Sequence, residues 1–188
     1  MELLIKSFND ALEYLPDKRT YRIGIGRWQD NFDLYPLKQS QNWLHIENYY
    51  FDDAWPKEWK EYSWADLNDP YFGGLLSKSW EEISKTYPLM TKESLMSLVE
   101  SKGQNFDRVI LFDKPLAKKI INNFHIFGKE AECVLIHSSK GQYRSPALGI
   151  AMNETFDWKI NGLKERYPDY RRYVYSTMLD AGKEMFSK

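Results

Sequence analysis

Residues 134–152 read VLIHSSKGQYRSPALGIAM, an apolar run, a short polar loop and a second apolar run. The first run predicts a buried strand. The second predicts a helix, for which Ser145 is a good N-cap and Pro146 suits the first helical position. A strand, a tight loop and a helix N-terminus together bind anions, because loop N–H groups and the helix dipole both favour negative charge. Arg144 can direct two N–H donors at two phosphate oxygens. This stretch therefore predicts a site for a phosphate-like dianion.

The rest of the chain alternates between strand and helix patterns. Strands are predicted at 21–26, 43–51 and 132–136, with a further candidate at 107–112, and helices at 7–15, 114–127, 146–156, 159–167 and 169–186. This order predicts an α/β fold with a mostly parallel sheet flanked by helices on both faces. We expect residues 1–188 to form one domain, with an aromatic-rich elaboration at about 54–104, because no low-complexity linker borders that segment.

Composition limits the possible classes of function. The 188 residues carry 26 basic and 27 acidic side chains, a balance that argues against a generic nucleic-acid or membrane-surface protein. No run approaches the roughly 18 apolar residues that span a bilayer, and the N-terminus lacks the apolar core of a signal peptide. The single cysteine, Cys133, excludes an intramolecular disulfide. We therefore expect a cytoplasmic protein with no membrane span and no nucleic-acid partner.

Residues 137–145, HSSKGQYRS, resemble the signature loop of the cysteine-dependent protein tyrosine and dual-specificity phosphatases. That loop reads His-Cys, five residues, Arg, then Ser or Thr, and Gly141 stands where it has glycine. The following PALGIA resembles the helix after the loop, and YPDY at 167–170 is similar to small bacterial members. The resemblance implies hydrolysis of phosphate monoesters without a cofactor, on a phosphorylated protein or a small phosphomonoester. Phosphotyrosine is the first substrate to expect, with phosphoserine, phosphoinositides and nucleotides still open.

Ser138 departs from this pattern, because it stands where the family has its nucleophilic cysteine. The family's chemistry needs a thiolate, whose pKa such loops lower from about 8.5 to roughly 3.5–7.5. A serine hydroxyl does not ionise there, and the loop shows no partner base. Cys133 lies on the strand side and cannot replace it. We expect the phosphate pocket to persist and most or all turnover to be lost. Ser138 is either natural, in a pseudophosphatase that binds phosphorylated ligands, or a deliberate change that traps substrate in an otherwise active enzyme.

The resemblance also implies a role for each loop residue. Ser138 occupies the nucleophile position, Arg144 and the amides of 139–144 hold the phosphoryl oxygens, and Ser145 donates to the leaving nucleophile. His137 orients the loop from behind, or is simply a buried, hydrogen-bonded core residue. Lys140 and Tyr143 face the pocket mouth, unless Lys140 is only a solvated surface residue. The phosphate-binding set is Ser138, Ser139, Lys140, Gly141, Gln142, Tyr143 and Arg144.

A general acid must protonate the leaving oxygen, and the family uses an Asp on a separate loop. Asp52 and Asp53 are the first candidates because they follow a predicted strand, with Asp53 ahead, although Asp is also common in exposed turns. Asp113 is second, since its place before Pro115 is typical of a helix cap. Three other acidic residues stay open: Asp66, Asp69 and Asp107.

Other classes of function find little support in the sequence. No Gly-x4-Gly-Lys-Ser/Thr motif indicates a nucleoside triphosphatase. His45, His125 and His137 show no metal-ligand spacing with Cys133 or with a carboxylate pair. An unrelated α/β domain whose loop matches by chance remains the third interpretation, beside the hydrolase and the binding module.

Overall fold

The structure, a computed structural model, describes residues 1–27, 32, 36–52, 85 and 112–186. The chain divides into two compact units, one formed by Met1–Phe51 with Phe112–Lys188 and the other by Asp52–Leu111. The described helices and strands named below belong to the first unit. The predicted elaboration at 54–104 lies outside the described residues apart from residue 85, as does the strand candidate at 107–112 apart from Phe112. The prediction of a single domain stays a prediction.

Strands and helices are interleaved along the first unit, although they do not alternate strictly. In order they are β1 (Glu2–Ser7), α1 (Phe8–Glu13), β2 (Thr20–Gly26), β3 (Trp43–Tyr50), α2 (Lys114–Phe127), β4 (Cys133–Ser138), α3 (Arg144–Thr155), α4 (Leu163–Arg166) and α5 (Arg172–Phe186). The strands form a sheet in the order β1-β4-β2-β3, and every neighbouring pair is parallel. The predicted α/β fold with a parallel sheet is confirmed.

One face of the sheet is covered by α2, α3 and α5. Ile23 of β2 and Ile136 of β4 are register partners on this face, and both are fully buried. Tyr21 meets Phe124 of α2 edge to face, with ring centroids 5.2 Å apart. This layer holds most of the hydrophobic core. Each fully buried side chain of this size contributes about 1.5–3 kcal/mol to the stability of the fold. Gly149 allows α3 to approach β1 closely.

The opposite face carries polar side chains from the two central strands. Arg22 of β2 and His137 of β4 point to this face, because side chains alternate along a strand. The rings of Phe8, at the start of α1, and of Phe32 lie 5.8 and 5.9 Å from the His137 ring. The two faces therefore differ: one is an apolar core under three helices, and the other holds a buried cation.

Helix caps explain where α1 and α2 begin. Ser7 caps α1, its hydroxyl accepting a bond from the Asp10 N–H at 3.2 Å. Asp113 caps α2, accepting from the Leu116 N–H at 2.9 Å, with Pro115 in the first turn. The predicted cap at Asp113 is confirmed, so Asp113 has a structural role.

The prediction that Ser145 caps the helix after the loop is wrong. Helix α3 begins at Arg144, Tyr143 holds the N-cap position, and Ser145 lies inside the first turn. Pro146 is tolerated at the third helical position because the first four N–H groups of a helix have no intrahelical partner. The Ser145 hydroxyl bonds to Ser138 instead of to the helix backbone.

The predicted helix at 159–167 is also wrong, since only Leu163–Arg166 is helical. The side chain of Asn153 occupies both backbone groups of Ile160, accepting from its N–H at 3.0 Å and donating to its carbonyl at 3.1 Å. Lys159 has a φ of 63°, which is incompatible with a helix.

A second difference is β1, which is missing from the predicted strands. None of the described helices is long and apolar enough to cross a membrane.

Candidate functional site

The loop at 139–143 joins β4 to α3 at the carboxyl edge of the sheet. Its first carbonyl, that of Ser139, accepts a bond from the Phe8 N–H at 3.3 Å, which ties it to the junction of β1 and α1. Gly141 has a φ of 69°, and a Cβ there would lie 2.6 Å from the carbonyl oxygen of Lys6. Position 141 therefore requires glycine, both for its backbone conformation and for its close approach to β1.

The far end of the loop is held by α3 and by the segment before α5. The Tyr143 carbonyl accepts bonds from the N–H groups of Ala147 and Arg171, each at 3.2 Å. The guanidinium carbon of Arg171 lies 5.6 Å from the centre of the Tyr143 ring, within cation–π range. Tyr143 is 38% exposed, so its ring stands at the surface beside the loop.

Ser138 and Ser145 meet beneath the loop. Ser138 is the last residue of β4 and Ser145 lies in the first turn of α3, seven residues later. Their hydroxyl oxygens are 2.5 Å apart, and both residues are buried. The residue at the predicted nucleophile position is thus in direct contact with the predicted proton donor.

The loop amides form a set of donors that the described chain does not use. Within the ranges that the structure describes, the backbone N–H groups of residues 139–143 donate to no protein acceptor. Tyr143 at the N-cap of α3 makes no side-chain capping bond. A helix N-terminus with unused N–H groups favours an anion through both hydrogen bonding and the helix dipole.

Arg144 lies buried at the carboxyl ends of two strands. Its Nη1 donates to the Phe51 carbonyl at 2.6 Å and to the Gly26 carbonyl at 3.4 Å. Its guanidinium carbon is 5.9 Å from the centre of the Phe51 ring. These contacts fix the guanidinium at the sheet edge where the loop also lies. Arg144 is 5% exposed, a burial that strengthens its field on nearby charge.

His137 sits behind the loop and bonds to Arg22. Nη2 of Arg22 donates to Nε2 of His137, and Nη1 donates to Oδ1 of Asn48 at 2.5 Å. Because a guanidinium only donates, Nε2 must accept, so the ring proton sits on Nδ1. Burial, with the charge of Arg22 second, lowers the pKa of His137 to about 3. Burial lowers the pKa of Arg22 to about 10, so at neutral pH the arginine is charged and the histidine is neutral.

Cys133 opens β4, at the opposite end of the strand from Ser138. Five residues of strand separate them by about 16 Å. Burial raises the pKa of the Cys133 thiol to about 11. The expectation that Cys133 cannot replace the missing nucleophile is therefore supported by both its position and its ionisation.

Among the predicted acids, the structure describes only Asp52 and Asp113. Asp52 is partly buried and follows Phe51 directly, and Asp113 caps α2. The remaining candidates lie outside the described residues: Asp53, Asp66, Asp69 and Asp107. In the described ranges, no group of His, Cys, Asp and Glu side chains is arranged to hold a metal ion.

The structure places the Ser138 and Ser145 hydroxyls in contact, and it places the Arg144 guanidinium against the Gly26 and Phe51 carbonyls. The role of this group as a phosphate site stays a prediction. The structure adds Arg22, which the sequence analysis does not identify as a site residue. The sequence feature that could have pointed to Arg22 is an arginine inside an otherwise apolar strand that contains glycine, Tyr21-Arg22-Ile23-Gly24. No protein-family model, no curated protein and no solved structure matches the chain.

Proposed function

We propose that the loop at 139–143, with Ser138 and Arg144, binds the dianion of a phosphate monoester. On this proposal the chain is a protein tyrosine phosphatase-like hydrolase whose nucleophile position holds serine. The observation that carries the proposal is the contact between the Ser138 and Ser145 hydroxyls, 2.5 Å apart, at either end of a loop whose N–H groups donate to no acceptor among the described residues. The partner is a phosphorylated protein or a small phosphomonoester.

Charge and geometry both suit such a ligand. The loop N–H groups and the N-terminus of α3 supply partial positive charge, and Arg144 supplies a full one from a buried position. In a cysteine form, the thiolate would attack phosphorus and displace the ester oxygen, which takes a proton from the general acid. Water would then attack phosphorus and break the P–S bond, and the hydroxyl of Ser145 would donate to the sulfur as it leaves as a thiolate. The loop amides would stabilise the charge on the equatorial oxygens in the transition state.

Among the described residues, no base contacts the Ser138 hydroxyl, which bonds to Ser145. His137 is the nearest histidine in sequence, but its Nε2 accepts from Arg22 and its pKa is held near 3 by burial. A neutral serine bonded to a second serine is a poor nucleophile. The chain with Ser138 is therefore expected to bind phosphate monoesters with little or no hydrolysis.

A second candidate function is a phosphoprotein-binding module in which Ser138 is the native residue. The hydroxyl pair favours it, because Ser138 is engaged with Ser145 and not with a base. Both candidates share the phosphate site. They differ in whether a cysteine at 138 restores turnover.

Removing the Arg144 fork is expected to abolish most phosphate affinity. Calorimetric titration with phosphotyrosine should show about tenfold weaker binding for Arg144→Lys and about a hundredfold for Arg144→Met, since two charge-assisted hydrogen bonds contribute about 3 kcal/mol. The lysine variant retains the charge and loses the planar fork.

Lys129→Met is the matched control, because Lys129 is exposed before β4, at the opposite end of that strand from the loop. Its affinity should change by less than about threefold, as a surface charge contributes little. Equal phosphotyrosine affinity in the wild-type chain and a folded Arg144→Lys variant would exclude this loop as the phosphate site.

A further inference from the structure

A separate cavity of about 520 Å³ lies on the sheet face opposite the helical core. Its volume falls within the range of about 300–1,000 Å³ that is usual for small-molecule sites. The described residues that line it come from β2, β3 and the segment before β3: Arg22, Phe32, Pro36, Leu37, Lys38, Gln39, Ser40, Trp43, Ile46 and Asn48. We call it the Arg22 cavity.

Arg22 brings a buried positive charge to this cavity. The residue is 3% exposed, and two of its N–H donors bond to Asn48 and to neutral His137. Its Nε is buried without a hydrogen-bond partner, and among the described residues no carboxylate pairs with the guanidinium. An unpaired buried charge is costly, so an anion that reached it would be bound favourably.

The guanidinium is held in place rather than left to swing outward. Gly24 lies beneath it, and a Cβ there would approach Nη2 of Arg22 at 2.8 Å and Oδ1 of Asn48 at 2.7 Å. The guanidinium carbon also lies 5.3 Å from the centre of the Phe32 ring. Contacts with Gly24, Asn48 and Phe32 therefore hold the guanidinium of Arg22 in place beside the cavity.

The rest of the lining favours a monoanion with an apolar body. Lys38, the other cation of the described lining, is already paired with Glu13 at 2.8 Å. A dianion would therefore bring a second negative charge, and the described lining offers no second unpaired cation to neutralise it. Leu37, Trp43 and Ile46 supply apolar walls, and Ile46 is 43% exposed at the mouth.

We propose that the Arg22 cavity binds a small monocarboxylate, with the carboxylate against Arg22 and an apolar body between Leu37, Trp43 and Ile46. This site is distinct from the phosphate loop and does not depend on its function. A carboxylate and a guanidinium match as two parallel N–H···O bonds, which Arg22 still has donors to make.

Nuclear magnetic resonance of the Arg22 Nε–Hε group tests the proposal with phenylacetate and its uncharged analogue phenylacetamide. The Arg22 signal, identified by its loss in Arg22→Lys, should shift and saturate with phenylacetate and stay in place with phenylacetamide. The shift should persist in Arg144→Lys. A stationary Arg22 signal, an equal response to both probes, or shifts confined to 139–144 would overturn it.

Ile46 offers an independent pair of variants. It is the register partner of Arg22 on the neighbouring strand, so its side chain lies on the same face. Ile46→Glu places a carboxylate beside the guanidinium and should weaken phenylacetate binding at least about tenfold, as a competing ion pair. Ile46→Gln, uncharged and of the same size as glutamate, removes the same apolar wall without adding a carboxylate, so it should bind phenylacetate at least about tenfold more tightly than Ile46→Glu. Equal affinities in the two variants would contradict the proposal.

Discussion

Ser138→Cys is expected to release phosphate from phosphotyrosine and from generic aryl phosphates, at least about a thousandfold faster than the chain with Ser138. The buried position at the end of β4 places residue 138 beneath the loop amides and beside the N-terminus of α3. Such surroundings lower a cysteine pKa to roughly 3.5–7.5, so a thiolate would be present at neutral pH. Ser145, in contact with residue 138, would then bond to the sulfur.

Steady-state hydrolysis of phosphotyrosine measures this prediction. The matched control is Ser139→Cys, which places a thiol one residue later on the exposed side of the loop and should give no turnover. Replacing Cys133 by alanine in both variants removes the other thiol, whose buried position on β4 makes it inert. A folded Ser138→Cys variant that leaves phosphotyrosine and aryl phosphates intact would remove the hydrolase proposal and leave the binding module.

Acid is expected to destabilise the protein through His137, well above the pH at which carboxylates protonate. Burial lowers the folded-state pKa of His137 from 6.5 to about 3. Between these values the unfolded chain binds a proton that the folded chain does not, so the free energy of unfolding falls as pH falls. The loss from this one residue approaches about 1.4 kcal/mol per pH unit, or about 2 kcal/mol between pH 6 and pH 4.

Urea unfolding at several pH values checks the contribution of His137. In His137→Gln the amide oxygen can still accept from Arg22 but does not titrate, so the slope between pH 6 and pH 4 should become shallower by about 1 kcal/mol per unit. Asn122→Gln changes an exposed position of α2 that does not titrate and should keep the wild-type slope. A slope that stays unchanged in His137→Gln would mean that His137 is protonated in the folded protein.

The fold follows from local patterns because most elements carry their own signals. Alternating residues predict β2 and β3, and Asp113 with Pro115 marks the start of α2. The spacing of Ser138 and Ser145 places both hydroxyls at one sheet edge, since strand, short loop and helix leave little freedom between them. The strand–loop–helix part of the site is therefore readable from nineteen consecutive residues.

The features that the sequence patterns do not predict depend on contacts between different elements. Arg22 and His137 are 115 residues apart in sequence, and only the pairing of β2 with β4 brings them together. The helix predicted at 159–167 is interrupted because the side chain of Asn153 in α3 hydrogen-bonds to both the N–H and the carbonyl of Ile160. Serine is a common N-cap residue, yet the Ser145 hydroxyl bonds to the Ser138 hydroxyl of β4 and not to the backbone of α3.

The position of a bound oxyanion tests the phosphate site most directly. Tungstate, a stable tetrahedral oxyanion, can be located in crystals of the chain with Ser138 by its anomalous scattering. We expect one tungsten over the loop, with oxygens about 2.7–3.2 Å from the N–H groups of 139–143 and from the Arg144 guanidinium. Tungstate bound elsewhere, with this loop ordered and empty, would contradict the proposed function.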